Sequence, residues 1–482
     1  LQLLEDVPIA SACIEDLVFC YAHGISSVYS QKFVAMSIII RNARLINPAD
    51  SLDKIGSLQV SEDGILENIW FSDEPPILAD FLSLSHTVID FSDGIVASGL
   101  FDMHCHFREP GFEYKETLET GVRSALAGGY TGVAVMPNTD PPIDNAALVA
   151  FVRERVARLP IDLEVIGAIT VGRKGERIAP FGELAAAGVK ALSDDGAPVM
   201  NSRVMRLAFE YASQFNLLLI QHCEDTALSF GGVMNESVYS SLLGLRGIPS
   251  ISESIVLSRD LSLLRYLLQS KQGALPHTPR YHVAHISTKE AVELVRAAKR
   301  EGLPVTAEVT PHHFTLTDKD VFESGYDGNM RMNPPLRSEQ DRATLIEAIA
   351  DGTIDAIATD HAPHACHEKD CGISHAAFGI VGLETAVGLT FKQLVHTGYI
   401  SAYRAIELLS TNPRRILNIS PIHFEIGKPL NATLIAPDLE WMVDTSQFVS
   451  KSRNSPFQNY LLRGKSVGII HKGKLILPQT TL

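Results

Sequence analysis

Between residues 37 and 96, apolar positions cluster in short runs at 38–40, 44–46, 56–60, 65–70 and 87–91, punctuated by Asp63-Gly64 and Asp93-Gly94. Runs of that length broken by turn dipeptides predict short strands. From residue 97 the pattern changes. Apolar runs at 97–104, 131–136, 163–169, 189–193, 217–222, 280–285, 304–309 and 354–359 predict strands. Stretches of helical period lie between them, among them 116–127, 146–158, 202–215 and 288–300. Strand-then-helix units repeated eight times predict a (β/α)8 barrel over residues 97–415, with a doubly wound open sheet as the alternative. Beyond residue 416, strand patterns return at 432–435, 467–470 and 474–477. These are expected to join residues 37–96, so that 37–96 and 416–482 form one small composite β-sandwich with the barrel inserted between its halves. Residues 1–35 fit neither pattern and are expected to be an extension that offers no face to the barrel, with a natural start at Met36.

Composition narrows the partners. A formal net charge of −15 argues against a nucleic-acid surface or an anionic membrane. No apolar run reaches the roughly 18 residues of a membrane span. Six cysteines without regular spacing do not describe a disulfide framework, so a reducing cytoplasm is the expected setting. An anionic small substrate would need local cations inside its pocket.

Candidate chemistry gathers where the predicted strands end. The first strand runs into His104-Cys105-His106, and side chains two apart in a strand face the same way. The fourth runs into Ser193-Asp194-Asp195-Gly196, the fifth into His222, the sixth into His285 and the eighth into Thr359-Asp360-His361. Catalytic groups of such barrels sit at these ends. One histidine there is commonly a satisfied polar residue, but four with several carboxylates call for a metal. The count suits two ions about 3.5–4 Å apart, which would lower the pKa of coordinated water towards neutrality. Imidazole-rich donors favour zinc. Asp194 is read as a turn cap, Glu224 as support for His222, and His312 and His313 as structural. The loop 366–375 carries Cys366, His367, Cys371 and His375, and is read as a cover for the substrate in preference to a third metal site.

These residues carry a resemblance. His104-Cys105-His106-Phe107-Arg108-Glu109-Pro110-Gly111, Met136-Pro137-Asn138-Thr139 and Asn333-Pro334-Pro335-Leu336-Arg337 resemble the bacterial dihydroorotases of the amidohydrolase superfamily. Asp360-His361-Ala362-Pro363-His364, the segment from Phe378-Gly379 to Glu384-Thr385, and the closing segment 448–457 extend it over roughly residues 37–476. At 432–434, Ala-Thr-Leu stands where the family usually has Ala-Asp-Leu, a departure with no bearing on catalysis. The resemblance implies reversible cyclisation of N-carbamoyl-L-aspartate to L-dihydroorotate in pyrimidine synthesis. It implies that His104, His106 and Asp360 bind one zinc ion, that His222 and His285 bind the other, and that Asp360 is also the acid/base. Asp195 would bridge the ions, with a carboxylated Lys190 as the alternative bridge. Arg108, Asn138, Asn333, His364, Phe378 and Gly379 would bind the substrate. A homodimer and association with aspartate carbamoyltransferase are further expectations. Competing readings are another cyclic amidase, such as a hydantoinase or allantoinase, and a non-catalytic scaffold. Every proposed ligand is present, which weighs against the scaffold.

Overall fold

The computed structural model describes residues 12–13, 37–71, 86–270 and 273–477. The expectation for residues 1–35 lies outside these, except for a two-residue strand. Strands β1 (Ala12–Cys13), β2 (Ser37–Asn47), β3 (Leu52–Val60), β4 (Leu66–Trp70), β5 (His86–Asp90) and β6 (Ile95–Ser98) come first. Next are β7 (Leu100–Cys105), β8 (Tyr130–Val135), β9 (Asp162–Val165), β10 (Ala191–Ser193) and β11 (Leu218–Gln221). A small parallel pair, β12 (Met234–Asn235) and β13 (Gly247–Ile248), precedes β14 (Arg280–Val283), β15 (Val305–Val309) and β16 (Ala356–Ile357). Strands β17 (Ala432–Met442), β18 (Leu461–His471) and β19 (Lys474–Ile476) end the series.

Two assemblies result. In the first, β1 to β6 and β17 to β19 share one nine-stranded sheet, so the two ends of the described chain meet across the antiparallel pair β6–β17. Strand β2 organises it. Its first half pairs with β5, its second half with β6, and the change of partner follows a bulge between Ile40 and Ala43. Asn42 takes the left-handed backbone there (φ 60°), a conformation asparagine tolerates better than branched residues.

In the second assembly, β7–β8–β9 and β10–β11–β14–β15–β16 are parallel throughout. Bridges Gly167–Leu192 and Cys105–His361 join the two arcs, closing a ring of eight parallel strands. Helices Leu118–Ala127, Ala146–Val156, Ser202–Ala212 and Lys289–Arg300 follow their strands, each starting on a Thr or Asn whose side chain accepts from the first-turn amides. Phe101, Met103, Ala134, Ile166, Leu218, Ile220 and Ala356 fill a buried inner layer. At the amino-terminal end of the strands, Arg280 donates to the carbonyls of Ile416 and Asn216, tying a plug of Ile416 and Leu417 under that layer. The other end is left for chemistry.

The single strand expected at 97–104 is two strands in different sheets, because the chain breaks at Gly99. A Cβ at Gly99 would lie 1.9 Å from Asn431 Oδ1 and 2.2 Å from Thr131 Oγ1. The break is therefore a place where backbone from the sheet, the barrel and the carboxy-terminal segment pack without room for a side chain. Gly99→Val should destabilise the protein by about 1–3 kcal/mol through overpacking. A lowered midpoint in thermal or urea unfolding checks it, and an unchanged midpoint would show that the junction yields.

Candidate metal centre and its flanking cation

His104 occupies the penultimate position of β7, and His106 follows its end. Asp195 stands two residues beyond β10, His222 one beyond β11, His285 two beyond β14 and Asp360 three beyond β16. All six are buried, and closure of the ring brings them together. The rings of His104 and His106 lie 5.4 Å apart, as two-residue spacing on an extended chain requires. Arg108, His285 and Asp360 have positive φ (55°, 30° and 47°), so the ring's mouth is built on backbone that only surrounding structure can hold.

The hydrogen bonds decide what the histidines can do. His104 Nδ1 donates to Glu308 Oε1 at 2.6 Å, and His106 Nδ1 donates to Asn138 Oδ1 at 2.6 Å. In its neutral form each ring then keeps a lone pair on Nε2. That of His106 faces Asp360 Oδ1 at 2.9 Å; that of His104 faces Asp195 Oδ1 at 3.4 Å and Asp360 Oδ1 at 3.6 Å. His222 Nε2 donates to Glu224 Oε2 at 2.9 Å, which turns its Nδ1 towards His285 Nε2, 3.0 Å away. Asp195 Oδ1 lies 3.5 Å from His285 Nε2 and 4.0 Å from His222 Nδ1.

Lone pairs facing carboxylates repel unless a cation lies between them. His104 Nε2 and Asp195 Oδ1 are buried with no hydrogen-bond partner, as orphaned atoms that a cation would satisfy. Two donor groups have atoms mutually within 4.8 Å: His104, His106 and Asp360, and His104, Asp195 and His285. The residues therefore fit a metal centre, and His104 belongs to both groups. The protonation equilibria agree. Burial opposes charge on His104, yet Glu308 and Asp195 outweigh it and raise its pKa well above that of free imidazole. Burial would raise the Asp195 carboxyl, but His104 and its neighbours pull it well below the usual range, and His106 does the same to Asp360. A place that attracts a proton so strongly attracts a dication for the same electrostatic reason.

Lys190 stands elsewhere. It is exposed and precedes β10, at the opposite end of that strand from Asp195, where its charge acts on Glu164. Of the two candidate bridges, only Asp195 is brought to the histidines.

On the flank, Arg108 Nε donates to the Pro363 carbonyl at 3.1 Å, and its Nη2 lies 3.3 Å from His364 Nε2. Burial lowers the Arg108 pKa to about 10, which leaves it charged at neutral pH. His364 Nε2 donates to the Phe378 carbonyl at 2.8 Å. Burial, with the charges of Arg108, Lys115 and Lys369, brings its pKa down to about 2, so it is neutral. Asn138 and Asn333, expected at the substrate, are hydrogen-bonded within the cluster: Asn138 holds His106, while Asn333 Nδ2 donates to Glu224 Oε2 at 2.9 Å. Asp194, expected to cap a turn, instead reaches across to the neighbouring loop, accepting from the Thr170 amide at 3.0 Å and from its hydroxyl. His313 is held between Thr310 and the Pro334 carbonyl.

Two buried acids were missed. Glu308, in β15, accepts the hydrogen bond of His104 Nδ1 and faces His282 Nε2 at 3.2 Å; burial would raise its pKa, but His104 and His282 hold it at about 2. Asp102, in β7, accepts from the amide and hydroxyl of Thr359 at 2.9 and 2.5 Å. The readable signal was a lone carboxylate inside each apolar strand.

A family model described as dihydro-orotase-like matches residues 94–291. The dihydroorotase of Chlorobaculum tepidum is 55% identical over 443 residues, covering 92% of this chain and 100% of that one. The chain belongs to the dihydroorotase family. The dihydroorotase of Pelotomaculum thermopropionicum is 47% identical over 390 residues, covering 81% of this chain and 88% of its own. Among solved structures, the L-hydantoinase (dihydropyrimidinase) of Arthrobacter aurescens aligns with a TM-score of 0.77 at 23% identity, covering 92% of this chain and 97% of that one. The dihydropyrimidinase of Brevibacillus agri gives 0.74 at 17% identity, with 92% and 95% covered. At such identities these neighbours establish a shared α/β-barrel fold, while the dihydroorotase relatives establish the family.

Two metal-binding outcomes follow from this geometry. Glu308→Gln keeps the side chain's size but removes the anion that fixes the His104 tautomer, so metal affinity should fall about 10–100-fold. Dialysis against graded chelator followed by metal analysis reads this directly; wild-type retention would show that Glu308 only fills space. Asp195→Ala should end two-ion occupancy while Lys190→Ala keeps it, and the reverse result would reinstate a carboxylated lysine.

Proposed function

We propose that this protein interconverts N-carbamoyl-L-aspartate and L-dihydroorotate in pyrimidine synthesis. The observation that carries the reading is a buried cluster of four histidines and two aspartates with a fixed, half-buried guanidinium beside it: His104, His106, Asp195, His222, His285 and Asp360 at the mouth, Arg108 on the flank. The names of the relatives support the same reading. Zinc is the ion these donors favour, with Asp195 as the bridge. When bound, the ions would polarise the reacting carbonyl and lower the pKa of a water towards neutrality.

The chain's own residues supply the rest. Asp360 is ionised at neutral pH, so in the hydrolytic direction its carboxylate takes the proton of the attacking water and delivers it to the departing ring nitrogen. Ring closure runs the same transfer backwards. Arg108 grips the substrate's free carboxylate through two parallel hydrogen bonds, a match that a lysine cannot reproduce. Neutral His364, committed through Nε2 to Phe378, lines that pocket beside Gly379. A hydantoin or allantoin ring has no carboxylate for Arg108, which disfavours the other cyclic amidases. The composite sandwich, with the barrel inserted between its halves, belongs to this reading. So do a cytoplasmic setting, a second copy of the chain and aspartate carbamoyltransferase as partners.

Steady-state turnover on dihydroorotate, hydantoin and allantoin tests the proposal. Preference for dihydroorotate is expected; preference for either other ring would replace it, and no turnover with full metal content would favour a scaffold. Arg108→Lys should lose about 10²-fold in kcat/KM, or about 3 kcal/mol, because a poorly held ring loses orientation as well as binding. Near-wild-type kinetics in that variant would take Arg108 out of the pocket.

A further inference from the structure

Lys369 has no part in the chemistry above, yet its side chain is 2% exposed. It ends the short helix Cys366–Lys369, inside the loop expected to cover the substrate. Among the described residues its Nζ makes no ion pair, though the charges of Asp327 and Glu368 act on it from further away. It donates to three backbone carbonyls instead: Ala377 at 2.7 Å, Gly379 at 2.9 Å and Arg331 at 3.1 Å. An ammonium has three N–H donors and a neutral amine two, so the cage matches the charged form. Burying an ammonium without a counter-ion is unfavourable, and burial draws this one's pKa down to about 7. A methionine of similar length would fill the space without that cost. What the ammonium adds is direction, because it fixes three carbonyls at once.

One of those carbonyls is held twice. Gly379 O also accepts from Asn454 Nδ2 at 3.1 Å, and the same amide donates to Ala362 O at 3.0 Å. Asn454 Oδ1 accepts from the His364 amide at 3.1 Å, and its carbonyl from the Val381 amide at 2.9 Å. Gly379 is pressed against this cluster with φ 115°, and a Cβ there would lie 2.5 Å from Ala362 Cβ. The third carbonyl belongs to Arg331, whose guanidinium carbon lies 4.1 Å above the Phe378 ring. Lys369 from one side and Asn454 from the other therefore fix His364, Phe378 and Gly379 relative to one another.

We propose that Lys369 and Asn454 are positioning residues that set the geometry of the substrate-carboxylate pocket through the shared Gly379 carbonyl. The inference rests on the reading that His364 and Phe378-Gly379 line that pocket. Holoenzyme carrying Lys369→Met, Asn454→Ala, both together, or His364→Ala as the reference is assayed with dihydroorotate, alongside metal content and melting temperature. Lys369→Met and Asn454→Ala should each raise KM about tenfold with kcat within about threefold of wild type and metal retained. The double variant should raise KM by less than the product of the two, since both act on one carbonyl. A lower melting temperature with unchanged KM in both single variants would make the residues purely structural and overturn the proposal, as would effects that multiply independently. If Lys369→Met does not fold, Asn454→Ala decides by the same KM criterion. If His364→Ala raises KM while neither positioning variant does, only this inference fails; if His364→Ala also leaves KM unchanged, the reading of the pocket fails with it.

Discussion

A buried carboxylate closes the barrel. Strand β16 has two residues, too few to set the register of the last seam by ladder hydrogen bonds alone. Asp102 supplies what the ladder lacks, accepting from both the amide and the hydroxyl of Thr359, while the His106 amide donates to the His361 carbonyl at 2.9 Å. The residues on either side of that seam are His104 and His106 on one strand and Asp360 on the other. A slip of one residue would turn Asp360 away from the histidines, because side-chain direction alternates along a strand. The pairing that completes the fold is thus also the one that assembles the first donor group. The carboxyl of Asp102 itself is drawn up to about 7 by its burial, a sign of how dry the seam is.

The same dryness explains the charge balance of the mouth. Asp195, Glu224, Glu308 and Asp360 are all buried around four imidazoles. Buried anions are tolerated only when paired and hydrogen-bonded. Glu224 and Glu308 each accept a hydrogen bond from an imidazole N–H, and in doing so turn the opposite nitrogen inward. Asp195 and Asp360 face those inward nitrogens, an arrangement that is repulsive until positive charge enters. The outer acids set tautomers, and the inner acids are the anions a cation would meet. The two roles come from the same residue type and differ only in which nitrogen each meets.

Much of this was legible in the sequence because the signals were local. Alternating strand and helix periods located the eight barrel strands to within a few residues, and the ligand histidines sat where those periods ended. What escaped depended on partners far along the chain. Glu308 is 204 residues from the histidine it orients, and Asp102 is 257 from the threonine it holds. In sequence, each is only a charged residue in an apolar run. Lys369 was hidden for the opposite reason: among Cys366, His367 and Cys371 it reads as a polar loop residue, and only the backbone of residues 331 and 377–379 shows what it does. The division at Gly99 was invisible to periodicity, since the apolar run continues through it and only packing separates the two strands.

The comparison with hydantoinases sharpens where specificity must reside. Barrels of nearly the same shape, at 17–23% identity, carry the name of a different cyclic amidase. Shape is therefore too general to choose the ring. The residues proposed to meet a carboxylated substrate lie one layer out, on loops after the first and eighth strands: Arg108, His364 and the Phe378-Gly379 pair. These two loops are bound to each other, by Tyr114 Oη donating to Glu368 at 3.2 Å and by the Lys115–Glu368 ion pair at 2.7 Å. A partly exposed pair of that kind contributes little to stability. Its consequence is geometric: the loop that carries the guanidinium and the loop that carries the pocket backbone cannot shift independently.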